Sequence, residues 1–127
     1  TGGRRLDRPG YFFPPTIVTG IEDGVRLVDE EQFGPVLPVM PFRDVDDAVA
    51  RANRGPFGLG GSVWTADLDR AQDIADALEC GSVWINDCQR IHPEVPFCGA
   101  KMAGHGVENG AAGSEELSTV KAVFVRG

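Results

Sequence analysis

The sequence predicts an α/β fold: a βαβαβ parallel sheet with flanking helices, followed by an extended C-terminal strand. Three observations predict it. Two segments of helical periodicity, Val45 to Ala52 and Leu68 to Leu78, alternate with short apolar runs suited to strands. Strand, helix, strand, helix, strand at this spacing makes two successive crossovers, which are right-handed and build a parallel sheet. The last run, Leu117 to Val125, alternates polar and apolar residues before ending in Val123-Phe124-Val125, and has no obvious place in that sheet.

In chain order, residues 1–15 are rich in Gly, Arg and Pro, and Pro14-Pro15 forces extension, so a loop is expected. Thr16 to Ile21 is β-branched and reads as a strand; Val25 to Val28 reads as a second. Gly34-Pro35 makes a turn, because glycine allows positive φ and proline fixes φ without a backbone donor. Val36 to Phe42 is the next strand. Asp44 caps a helix, with Asp46 and Asp47 at the positive end of its dipole and Val45, Ala48, Val49 and Ala52 on one face. Asn53 to Gly55 with Pro56 ends it. Gly60 to Trp64 is a strand, and Asp67 caps a second helix with Leu68, Ala71, Ile74, Ala75 and Leu78 on one face. Gly81 is expected at the C′ position, before the strand Ser82 to Asn86. Asp87 to Gly113 reads as loop. The chain has no internal repeat and no low-complexity tract.

At 127 residues with a net charge of −7, the chain is one small domain at most, and its charge argues against nucleic acid or an anionic membrane as partner. No apolar run approaches the ~20 residues of a membrane span, and no signal peptide is expected at the start. Beginning Thr-Gly-Gly-Arg-Arg suggests a processed product or an excerpt. Three cysteines at irregular spacing fit reduced thiols and a cytoplasmic location. Cys88, His92, Cys98 and His105 lack paired ligand spacing, so no metal site is expected. Gly104-His105-Gly106-Val107-Glu108-Asn109-Gly110 follows no clear strand and the chain has no Gly-Lys-Ser or Gly-Lys-Thr, so this stretch reads as turns rather than a phosphate loop.

The stretch Asp29 to Pro35 carries the first candidate chemistry. A carboxylate there can accept both hydroxyls of a ribose, and a Phe face can cover the sugar, which singles out Glu31 and Phe33. The alternative is a solvated turn acid and a core plug.

Glu31-Gln32-Phe33-Gly34-Pro35-Val36 resembles the E-x-F-G-P-V signature of the NAD(P)-dependent aldehyde dehydrogenase superfamily. Gly2-Gly3, Gly10-Tyr11-Phe12 and Pro15-Thr16-Ile17-Val18 resemble the segment before it. Ala52-Asn53, Phe57-Gly58-Leu59, Trp64-Thr65 and Arg70-Ala71 follow in family order. Gly81-Ser82-Val83-Trp84-Ile85-Asn86 resembles G-x-V-x-x-N, and Pro96 to Gly106 resembles P-F-G-G-x-K-x-S-G-x-G, with Cys98 for a Gly and Ala103 for the Ser. The resemblance covers nearly the whole chain.

It implies that residues 1–116 form the C-terminal portion of a catalytic domain, and that residues 117–127 form a strand joining a neighbouring subunit of a homo-oligomer. It implies an aldehyde substrate, NAD or NADP as cofactor, Glu31 and Phe33 on the nicotinamide ribose, Phe97 walling the substrate tunnel, and Asp87, Ile91 and His92 near its mouth. In that family a cysteine thiolate attacks the aldehyde, hydride passes to the nicotinamide, and a Glu activates water for thioester hydrolysis. The nucleophile's Gly-Gln-x-Cys context, the base, the oxyanion Asn and the pyrophosphate turn precede this stretch and are not in the chain. Neither Cys80, Cys88 nor Cys98 has Gln two positions before it, and neighbouring acids would raise the thiol pKa of Cys80 and Cys88. No catalytic residue is therefore expected here, and the chain alone is expected to be inactive. Two rivals are a non-catalytic assembly module that binds subunits through its last strand, and a nucleotide sensor acting through Glu31.

Overall fold

A computed structural model describes residues 2–127. It divides into two compact units, the first ending at Val45 and the second running from Asp46 to Gly127.

In the first unit, strand β1 (Thr16–Val18) lies parallel to β2 (Val36–Pro38), with Thr16 opposite Val36. Thr16 is buried, and its Oγ1 accepts from Gly3 N at 2.8 Å and donates to Pro14 O at 2.9 Å. A polar strand residue is thereby satisfied while it ties the N-terminal loop to the sheet. Beyond Pro38 one further bond forms, Val39 N to Val18 O at 2.8 Å. Pro38 and Pro41 carry no N–H, so the strand expected to reach Phe42 stops early.

Val25 to Val28 is not a strand. Helix α1 (Arg26–Asp29) forms there, one turn closed by Asp29 N to Val25 O and Glu30 N to Arg26 O. The i,i+4 spacing explains the outcome: Arg26 Nε and Nη2 each donate to a Glu30 carboxylate oxygen at 2.8 Å. This pairing holds Arg26 above and Glu30 below their ordinary pKa values.

Helix α2 (Val45–Asn53) begins directly after Asp44, and from Asp46 onward it belongs to the second unit. Its Val45, Ala48 and Val49 are half-buried and Ala52 is exposed. Strands β3 (Phe57–Gly58) and β4 (Gly60–Val63) follow, then α3 (Leu68–Ala77) and β5 (Ser82–Ile85). Asp67 is the N-cap of α3, its carboxylate accepting from Arg70 N at 3.0 Å. Strands β4 and β5 pair in parallel from Gly60 opposite Ser82 to Val63 opposite Ile85, so β4-α3-β5 is the predicted crossover. Ala71 of α3 is fully buried and Val63 of β4 nearly so, which puts the core between helix and sheet. Leu68, expected on the buried face, is exposed at the first turn.

The α/β class holds, but the continuous βαβαβ sheet does not. The described strands form four two-stranded sheets, with β2 paired to β1 and β4 to β5. Within the segment read as loop, β6 (Phe97–Cys98) pairs antiparallel with β8 (Val107–Glu108), and β7 (Ala100–Lys101) antiparallel with β3. Helix α4 (Gly110–Glu116) closes the unit. Leu117 to Val125, expected as a strand, has no regular secondary structure. A strand exists through its ladder partner, and here Leu117 is 93% and Phe124 95% exposed. Gly81 is corrected too: the C-cap of α3 is Leu78, and a Cβ on Gly81 would lie 1.9 Å from Cys98 O. Close approach of β6, rather than a positive φ, requires glycine there.

Candidate functional site

The acidic turn of the first unit leaves Phe33 free of any packing. It is 99% exposed, and Glu31 beside it is exposed as well. Gln32 Nε2 donates to Val36 O at 3.0 Å, bracing the turn against the start of β2. Among the described residues Phe33 plugs no core: its aromatic ring stands in the open next to a carboxylate.

The second unit holds the remaining candidates on the loop after β5 and on β6. Phe97 and Ile91 border one cavity of about 470 Å³, together with Leu59, Trp84, Cys88 and Gln89. Asp87 and His92 do not border it. The Asp87 carboxylate accepts from Cys88 N at 2.8 Å and pairs with Arg90 at 3.8 Å, and His92 Nδ1 accepts from Glu94 N at 3.2 Å. Both side chains thus shape their own loop. The sequence does not mark Trp84, Cys88 or Gln89 as walls of this cavity; Cys88 stands out there only as a thiol to be weighed for metal binding or catalysis, and Trp84 only as a motif member. Trp84 sits on a strand whose residues are all half-buried, so alternation gave no signal for its direction, and Gln89 adopts φ 55°, a loop conformation without a sequence pattern.

Several of the motif residues hold the second unit together rather than line the cavity. Asn86 Oδ1 accepts from Thr65 N and its Nδ2 donates to Thr65 O, both at 2.8 Å, so the side chain extends the β4–β5 ladder by one pseudo-rung. Asn53 Nδ2 donates to Ala77 O at 2.8 Å and its Oδ1 accepts from Glu79 N at 2.9 Å. Lys101 Nζ lies 2.7 Å from Glu79 Oε2 and donates to Asn53 O and Gly55 O at 2.5 and 3.2 Å. Together they satisfy carbonyls left over at the ends of α2 and α3 and hold β7 against them.

All three cysteines are free. Burial, the largest cause, pushes the Cys80 thiol up; Lys101 opposes it, and the neighbouring acid Glu79 adds to it. Cys98 is half-buried, its Sγ 3.8 Å from Gly81 O. Among the described residues no group of three or more His, Cys, Asp or Glu is arranged to hold a metal ion, and no helix is long and apolar enough to cross a membrane.

Residues 1–123 match the aldehyde dehydrogenase family model, and the chain belongs to this family. It is 40% identical to retinal dehydrogenase 2 of Gallus gallus over 98% of this chain and 24% of that protein. It is 43% identical to the NADP(+) succinate-semialdehyde dehydrogenase 1 of Mycobacterium tuberculosis over 98% of this chain and 27% of that one. Among solved structures, betaine aldehyde dehydrogenase from Staphylococcus aureus in complex with NAD+ is 41% identical with a TM-score of 0.86, covering 91% of this chain and 24% of that one. The chain thus spans about a quarter of the length of these relatives.

Proposed function

We propose that this chain is the C-terminal part of an NAD(P)-dependent aldehyde dehydrogenase that converts an aldehyde to a carboxylic acid. Family membership over residues 1–123 carries the reading. NAD or NADP, when bound, supplies the hydride acceptor. Glu31 accepts the ribose hydroxyls and Phe33 covers the sugar; the fully exposed ring of Phe33 beside a free carboxylate supports this. Phe97 and Ile91 wall the aldehyde tunnel, consistent with their shared cavity, while Asp87 and His92 act at its mouth by holding the loop. Residues 1–116 belong to the catalytic domain. Residues 117–127 form the strand that joins a second copy, which the exposure of Leu117, Val120 and Phe124 favours. Three free thiols support a cytoplasmic location, and the acidic charge supports small molecules and sister subunits, not nucleic acid, as partners.

The experiment is aldehyde-dependent NAD(P)H formation by the full-length protein and by the isolated 127-residue chain. The full-length protein is expected to be active and the isolated chain inactive. In the full-length protein, Glu31→Gln and Phe33→Ala are each expected to raise the cofactor KM by about tenfold, the scale of one charge-assisted hydrogen bond or one stacked ring. An unchanged KM in both variants would remove these residues from the cofactor site. The same exposed tail also favours the rival, a stand-alone assembly module that binds subunits of a full-length relative; stable association of the 127-residue chain with such a relative in a pull-down, without activity of its own, would favour it.

A further inference from the structure

The 470 Å³ cavity has a wall chemistry that selects among aldehydes. Resting on the reading that the parent protein oxidises aldehydes, we propose that this cavity takes a neutral aldehyde with an apolar body, with the Gln89 amide reading one uncharged polar group. The charged residues of the loop are turned to other uses: Asp87 pairs with Arg90, and neither they nor His92 border the cavity. Apolar surface comes from Leu59, Trp84, Ile91 and Phe97. Trp84 contributes no hydrogen bond, because its Nε1 already donates to Arg90 O at 2.9 Å. What remains polar on the side-chain wall is the Ser62 hydroxyl, the Cys88 thiol and the Gln89 amide, with no carboxylate, ammonium or guanidinium among them. A carboxylate or an ammonium entering this space meets no counter-charge among the residues that border it, and desolvating it there is costly. A neutral apolar aldehyde loses little by leaving water and gains the aromatic faces.

The test is kcat/KM of the full-length protein for three aldehydes: a neutral aromatic one such as benzaldehyde, anionic succinate semialdehyde and cationic betaine aldehyde. The neutral aldehyde is expected to lead each charged one by about tenfold or more. Gln89→Glu should move the preference toward betaine aldehyde, and Gln89→Lys should move it toward succinate semialdehyde, each by about tenfold. Because the two variants differ in sign, either one that folds suffices. A charged aldehyde preferred by the unmodified protein, or preferences that ignore the charge placed at Gln89, would overturn the proposal while leaving aldehyde oxidation standing. Failure to oxidise any of the three would overturn both readings.

Discussion

Asn53 uses both ends of its amide on the end of α3, a role invisible until α2 and α3 are placed side by side. Asn53→Ala hands the exposed Ala77 O and Glu79 N over to water, and denaturant unfolding of the full-length protein is expected to show a loss of about 1 kcal/mol. Gly81→Ala puts a methyl group against the Cys98 carbonyl, so β6 must shift; a loss of about 1–3 kcal/mol is expected from the resulting overpacking. Thiol labelling provides a separate check. Exposed Cys88 is expected to alkylate before half-buried Cys80, whose raised pKa keeps it protonated further above neutral pH, and equal rates would contradict that burial. Asn53, Thr65 and Asn86 stand in the sequence as recognisable motif members, but their partners lie more than twenty positions away, which local patterns do not reveal.

At the scale of elements, legibility followed length and periodicity. The cap Asp67 and the run through Leu78 specify α3 because a short polar side chain, a 3.6-residue repeat and good helix formers agree. Strands β3, β6, β7 and β8 have two residues each, too few to show alternation, and they exist only because distant backbone pairs with them. At α1, Val25 and Val28 signal a strand, but the Arg26–Glu30 pair closes a helical turn instead. Glu30 has a lowered folded-state pKa, so its contribution is present above the ordinary carboxylate range and fades as pH falls through the folded-state value. Both side chains are exposed, so the effect is expected to be small and to vanish at high salt; a pH titration of α1 chemical shifts in low and high salt measures it.

For the molecule as a whole, the buried apolar residues among those described are Val63 and Ala71, while Tyr11, Phe33, Trp64, Leu117 and Phe124 are among the large side chains left exposed. That imbalance is in keeping with the proposed reading of the chain as part of a longer dehydrogenase, since it spans about a quarter of its relatives' length. The isolated chain is therefore expected to associate or aggregate at micromolar concentration, which light scattering would read. Val123→Pro in the full-length protein is expected to weaken subunit association, since proline cannot donate to a shared ladder, and an unchanged native mass would count against the strand's proposed role. The family was legible from motifs spread along the chain, whereas the split into two units and the separate sheets were not, because strand pairing depends on which backbone edges meet.

The pairing of β3 with β7 sets a timetable for synthesis. Phe57 meets Lys101, and the Lys101 ammonium closes over the carbonyls of Asn53 and Gly55. A ribosome delivering the chain from its N-terminus releases α2 and β3 long before β7 emerges, so the end of α2 waits for its clamp. A pause or a truncation between Gly55 and Lys101 leaves that junction open, with β3 an unpaired edge available to chaperones or to another nascent copy.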